Sequence, residues 1–371
     1  MPTHRQATNA LAHLRHLARL DSSGPELIGP VLESLHALIG FESSGYFFPG
    51  GSGELDVHVE HPNLQAAVPD HFDPRILASE ARVFRNVLQH TDDIGRHPSG
   101  PQSLVQMLRV PTAELQRSDY YNVVMRPAGV ADWLSLPLRS PQGQPVGMLF
   151  LFRPARSRAF GAEELATLAR LQPSLTRALW SGGVVQGDGE AVREGLLIVT
   201  PMGQPLWASP EAEALIAQAL GWRWRWRLLG RVAGHAPLPH ALQLLIQQLR
   251  LPGMAAPELS LRNAHGAFHV RASPLAATIG GGEAVALHIT QRVAHSARLL
   301  QALREIGLPP RQRELAYWLA RGLPESRVAA CMGISENTVV YHRRQLYAAL
   351  GVASRGELLE CLADGRTRGA G

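Results

Sequence analysis

Lysine is absent: all 36 basic residues of this 371-residue chain are arginine. That excludes chemistry built on a lysine amine. There can be no GxxxxGK[ST] phosphate loop, no pyridoxal Schiff base and no protein-kinase nucleotide site. A phosphorelay receiver, which normally uses a lysine, is not expected either. Cysteine is scarce. Cys331 and Cys361 are too few for a disulfide framework or a zinc site. Long apolar runs are also missing. The longest, Val146–Phe152, is far short of a membrane span. The first twenty residues lack a signal-peptide core and read as an Arg/His-bearing amphipathic helix. A soluble cytoplasmic protein with no membrane partner is expected.

What is present is a folding composition: 45% hydrophobic and 18% charged, with length enough for two or three domains. The net charge is +5 and the isoelectric point about 9.7, a mild bias toward an anionic partner. Histidines pair at His13/His16, His58/His61 and His265/His269, yet none sits in an HExxH pattern or near a cysteine. No Gly-x-Ser-x-Gly elbow or triad order occurs. No catalytic residue, metal or cofactor is therefore assigned.

The glycine-rich stretch SGGVVQGDGE reads as a linker at 181–190. Before it, the spacing predicts a helix over 25–41 and hairpins over 42–61 and 133–154. A long helix follows over 160–180, with Pro173 expected to kink it. After the linker, Leu196–Thr200 and Leu206–Ala208 read as paired strands around a Pro201–Gly203 turn. Ser209 is then a helix cap with Pro210 behind it. PELSLRN, GAFHVRASPL and GEAVALHIT read as three further strands. Leu299, Leu300, Leu303 and Ile306 make the connector near 294–306 helical.

One stretch, GWRWRWRLLG (221–230), alternates Trp222, Trp224 and Trp226 with Arg223, Arg225 and Arg227. Strict alternation predicts a strand with three indoles on one face and three guanidinia on the other. Such an indole face suits packing on its own module, with one ring left for a subunit interface.

From Gly307 to Leu362 the pattern is specific. Leu315, Trp318 and Leu319 form one helical stripe that Gly322 ends; Val328, Ala329 and Met332 form a second. Gly333 supplies a turn, and Ser335 caps a third helix with Val339, Leu346 and Leu350 on one face. Three short helices with a glycine turn before the last present that last helix to a DNA major groove. From Leu300 onward there are ten arginines against seven carboxylates.

These residues resemble a LuxR-type helix-turn-helix domain of the NarL/FixJ class. The matching pieces are Arg313-Glu314-Leu315, Gly322, Val328-Ala329, Ile334-Ser335, Thr338-Val339, His342, Leu346, Leu350-Gly351-Val352 and Arg355. Pro309, Gln312, Val340 and Ala349 depart from the usual family residues. The resemblance implies double-stranded DNA as partner, a homodimer, and RNA polymerase as a further contact. The expected DNA-binding residues are Ser335, Asn337, Thr338, Val340, Tyr341, His342, Arg343 and Arg344.

The first segment resembles a GAF-like sensory domain, on SDYYNVVMRPAGVADWLSLPL and FGAEELATLARLQPSLTRAL. The second resembles a PAS domain, on its strand–turn–strand–helix opening. The expected fold class is thus two α+β sensory modules, antiparallel sheets with flanking helices, followed by an all-α domain. The expected organisation is 1–180 GAF-like, 181–190 linker, 191–293 PAS-like, 294–306 connector and 307–371 DNA-binding. A small-molecule ligand is expected in the first module, with Tyr46, Phe48, Tyr121 and Trp133 as its candidate contacts. Three other readings stand beside this one. They are an acyl-homoserine-lactone receptor, which Asp73-Pro74 and several aromatics resemble, an enzyme with an autoregulatory DNA-binding domain, and a signal-free scaffold.

Overall fold

The computed structural model describes residues 4–20, 24–50, 54–180, 189–221, 223–224, 238–249, 256–276 and 282–364. They form two antiparallel sheet domains with helices, then a helical domain.

The first unit opens with α1 (His4–Leu17) and α2 (Ile28–His36). It continues through β1 (Ser43–Pro49), β2 (Leu55–Val59), α3 (Pro62–His71) and α4 (Pro74–Val83). Short elements follow: α5 (Asp93–Arg96), β3 (Gln102–Ser103), α6 (Leu104–Met107), α7 (Thr112–Leu115) and a π turn over Tyr121–Met125. The unit closes with β4 (Asp132–Arg139), β5 (Pro145–Arg153) and α8 (Ala162–Leu179). The strand order is β2-β1-β5-β4-β3.

β4 and β5 are apolar along almost their whole length because both sheet faces are covered. Leu134, Leu136, Leu149 and Leu151 point to the side of α1, α2 and α8. Met148, Phe150, Phe152 and Trp133 point to the side of α3, α4 and the short helices. Tyr46 crosses over Gly147, where a β-carbon would lie 2.3 Å from its ring, and its hydroxyl donates to the Val146 carbonyl at 2.9 Å. Helix α8 runs through Pro173 without interruption.

The second unit comprises β6 (Gly189–Val199), β7 (Pro205–Ala208), α9 (Pro210–Leu220) and α10 (His240–Gln248). β8 (Glu258–Asn263), β9 (Gly266–Ala276) and β10 (Glu283–Ala294) complete it. Its order, β7-β6-β10-β9-β8, repeats that of the first sheet: the first strand lies between the second and the last. Ser209 caps α9 by accepting the Ala212 N–H. Helix α9 lies so close to β6 that a β-carbon on Gly195 would fall 2.6 Å from the Ala212 backbone.

The Trp/Arg stretch departs from its expected strand. Gly221, at φ 54°, ends α9, and Arg223 and Trp224 are helical, with the Trp224 N–H donating to the Gly221 carbonyl at 3.2 Å. Trp224 is buried in the second core. Arg223 leaves its own domain to bind Glu54, Asp56 and the Leu55 carbonyl of the first. Alternation over two residues cannot override a helix that an α9-ending glycine starts and an indole anchors. Trp222 and 225–230 lie outside the described residues, as do 181–188 of the expected linker; β6 has already begun at Gly189.

Strand β10 passes directly into α11 (His295–Glu305), which leads to α12 (Pro310–Ala320), α13 (Glu325–Met332), α14 (Glu336–Leu350) and α15 (Arg355–Asp364). The core of this bundle is continuous with that of the first unit. Leu14 and Leu17 of α1, Leu299 and Leu303 of α11, and Tyr317 and Trp318 of α12 belong to one buried cluster. Among the described residues, no helix is long and apolar enough to cross a membrane.

Candidate nucleic-acid interface and first-domain cavity

The turn before α14 is built by Gly333, in the left-handed region at φ 65° and ψ 38°, where a side chain would be strained. Ser335 then caps α14: its hydroxyl accepts the Thr338 N–H at 3.3 Å and lies 2.7 Å from the Thr338 hydroxyl. The first turn of the helix therefore offers free N–H groups beside two hydroxyls, a setting suited to a phosphate oxygen.

Val339, Leu346 and Leu350 are buried and fix the rotation of α14 against α12 and α13. That rotation leaves Asn337, Tyr341 and Arg344 exposed along one stripe, at helical spacings of four and three. Tyr341 is 58% exposed, and its hydroxyl accepts from the Gln345 amide at 2.8 Å. Val340 and His342 flank the stripe half-buried. Arg343 is turned aside: its guanidinium pairs with Glu325 of α13 and sits 6.0 Å from the Tyr347 ring centre. Arg344 and Arg355 border a shallow surface hollow with Ser354 and Tyr347. The two arginines read alike in the sequence are thus placed differently.

The second feature is a cavity of about 80 Å³ between the first sheet and α3, α4 and the π turn. Its walls are mostly apolar and include six Phe, Tyr or Trp rings. Phe84 stands 5.2 Å from Trp133 and 5.5 Å from Tyr120, and Trp133 stands 5.8 Å from Phe150, all centre to centre. Trp133 is further held by its N–H, which donates to the Met107 sulfur at 3.3 Å. Within this wall sit His71, Glu80 and His97. His71 Nε2 and Glu80 Oε2 are buried and have no hydrogen-bond partner. Burial lowers the His71 pKa to about 4, so the ring is neutral at physiological pH. Burial, with Asp93 nearby, pushes the Glu80 carboxyl up to about 8, so it holds its proton at neutral pH.

Of the four expected ligand contacts, Trp133 lines the cavity. Tyr46 and Phe48 do not: they point to the opposite face of the sheet, into the core with α2 and α8. Strand alternation puts Phe47 and Gly45 on the cavity side instead. Tyr121 packs against the aromatic cluster without lining the cavity, while its neighbour Tyr120 does line it. His71 and Glu80 carried no motif, and Tyr120 stood in the SDYYNVVMRP segment, where its neighbour Tyr121 was expected as the contact. A buried acid in α4 looks in sequence like any solvent-facing residue of an amphipathic helix.

The sheet domains and the helical domain touch through polar groups as well as through the shared core. His16 of α1 is buried edge-on against Tyr317 and Trp318, at 5.0 and 5.2 Å, and lies 3.6 Å from Glu314. Arg19 donates to the Cys331 carbonyl of α13, and Glu33 of α2 pairs with Arg304 and Arg313. The second domain joins the first through Arg262 and Glu26, 2.7 Å apart. Among the described residues, no group of three or more His, Cys, Asp or Glu side chains is placed to hold a metal ion.

Curated relatives match this chain over short stretches. SgaR, a transcriptional regulatory protein of Hyphomicrobium methylovorum, is 50% identical over 48 residues, 13% of this chain and 23% of that one. A helix-turn-helix transcriptional regulator of Aeromonas salmonicida is 41% identical over 61 residues, 16% of this chain and 31% of that one. The chain thus spans under a third of the length of these curated relatives. Among solved structures, Escherichia coli SdiA aligns over 96% of this chain and 95% of its own, at 12% identity and a TM-score of 0.32. Residues 307–362 match the family of bacterial regulatory proteins, luxR family.

Proposed function

We propose that the chain is a sequence-specific, DNA-binding transcription regulator whose first sheet domain receives a small-molecule signal. The observation that carries the reading is helix α14. Its Asn337–Tyr341–Arg344 stripe is exposed beside a Ser335/Thr338 cap, inside a domain that matches the luxR family. Arg344 is free to meet a guanine edge or a phosphate, and the cap is suited to a neighbouring phosphate. Ser335, Asn337, Thr338, Val340, Tyr341 and His342 complete the proposed interface, with Arg343 at its rim.

In this reading residues 1–180 form a GAF-like sensor and 191–293 a PAS-like module, with 294–306 as connector and 307–371 as DNA-binding domain. The shared strand order of the two sheets supports both modules. The protein acts in the cytoplasm as a homodimer on two-fold sites, contacts RNA polymerase, and carries out no catalysis. A signal in the cavity reaches the helical domain by two routes, the α1–α12 contact and the direct passage of β10 into α11. The ligand must bind one arrangement of these contacts more tightly than the other, since equal affinity shifts nothing.

Selection of bound duplexes from a random pool with the full chain yields the operator. Arg344→Ala is then expected to weaken that operator by about 10- to 100-fold, the range of one lost base contact, with the thermal transition unchanged. Arg343→Ala is expected to weaken it less, because its guanidinium is already paired with Glu325. Unchanged operator affinity in the Arg344 variant would refute the recognition face.

A further inference from the structure

The first-domain cavity contains an acid with no base. Glu80 is only 6% exposed, projects from α4 into an aromatic chamber, and has an oxygen without a partner. The chain has 36 arginines, yet none lines this cavity among the described residues. Buried carboxyls elsewhere in the same domain are matched: Glu164 meets Arg153 and Arg158, and Asp93 meets Arg96 and the N–H groups of Gln89 and His90. Glu80 alone of these three is left facing open space. Around it stand the rings of Phe84, Tyr120 and Trp133, whose faces attract cations.

We infer that this cavity binds a small organic ammonium ion, with Glu80 as its counter-charge and the aromatic wall as its cage. This rests on the reading of the first domain as a ligand-binding sensor. The volume limits the guest. About 80 Å³ is roughly half of the ~150 Å³ that admits the six carbons of benzene in an engineered cavity, so about three heavy atoms fit.

Binding is an ion exchange. The amine enters as a cation, Glu80 gives its proton to solvent, and an ammonium–carboxylate pair replaces a neutral carboxyl. Among the other groups facing this space, His71 is held neutral by burial, burial lowers the His97 pKa as well, and Tyr120 titrates far above this range. Asp93 is engaged by Arg96, and Arg139 is bound to the carbonyls of Ile94 and His97. Glu80, held near 8, is the group that changes.

The test compares ethylamine with ethanol, two probes of equal heavy-atom count, by calorimetry on the full chain. The amine is expected to bind and the alcohol to bind more weakly. Amine affinity should rise about 50-fold from pH 6 to pH 8, following the ionised fraction of Glu80, and level off above. Glu80→Gln should remove both the affinity and the slope. Because the slope is read on the unaltered chain, it stands whether or not the variant folds. Alcohol binding as tightly as amine, a flat pH profile, or full affinity in the Glu80 variant would overturn the cation and leave the sensor intact. Binding of neither probe would overturn both.

Discussion

Replacing Glu80 by Gln should make the protein more stable, and the gain should grow with pH. The folded chain holds the Glu80 proton up to about pH 8, whereas an ordinary glutamate loses it near 4.5. Below pH 4.5 both states are protonated and Glu80 costs nothing through its charge. As pH rises through 4.5 the unfolded chain ionises and is stabilised relative to the folded one. The loss continues until pH 8 and is constant beyond it. At 1.36 kcal/mol per unit, the penalty at pH 7 is about 3 kcal/mol, and at pH 5 it is below about 1 kcal/mol. Glutamine has nearly the same shape and does not titrate, so it escapes this penalty. Urea unfolding of parent and variant at pH 5, 6, 7 and 8 reads the difference directly. The expected result is two near-coincident curves at pH 5 that separate to about 3 kcal/mol by pH 7. A difference independent of pH, or a less stable variant at pH 8, would refute the placement of a lone buried carboxyl in this cavity. A stabilising substitution at a site with no structural partner is what a binding residue predicts, since such residues are retained at a cost to the fold.

His71→Phe should show the opposite slope. The buried imidazole stays neutral to about pH 4 when folded, so the parent loses stability as pH falls below 6.5, by about 2 kcal/mol at pH 5, and the variant should not; melting curves at pH 7 and 5 compare them. Gly195→Ala should destabilise the second sheet domain by about 1–3 kcal/mol, because the new methyl would meet the α9 backbone at 2.6 Å; denaturant unfolding measures it, and a neutral result would mean that α9 can slide away from β6.

The parts of this fold that were legible in the sequence are those whose signal is local. The β4–β5 hairpin needs only two apolar runs and PQGQP. Helix α14 needs Gly333 to turn the chain and Ser335 to cap it, and both do so. The cavity was not legible, because alternation tells which residues share a face but not which face is hollow. Tyr46 and Phe47 look equivalent as letters. One lies in a filled core against α2 and α8, and the other borders open space, because the segment 60–130 crosses the second face in short helices that fill it incompletely. Such short pieces carry too little periodicity to be placed in advance.

The Trp/Arg stretch shows the same limit from another side. Its alternation is real, but the residue that decides Arg223 is Asp56, 167 positions away, where a buried carboxyl accepts the guanidinium. The apolar stripe of α1 likewise announces that the helix must be covered, and cannot announce that Tyr317 and Trp318 of the helical domain do the covering. In the proposed function, that contact is where sensing and DNA binding have to meet. Helix α1 lies on the same outer layer as α8, on the far side of the sheet from the cavity. By the α1 route, a guest beside Glu80 therefore reaches α14 by moving the sheet itself, whose β4 and β5 pack their other face against that layer. Close-packed layers transmit such a shift because they cannot absorb it. The demand on the ligand is then modest in size and strict in place: it must change the spacing between α4 and the sheet, and the unpartnered carboxyl on α4 is the group that a cation would draw inward.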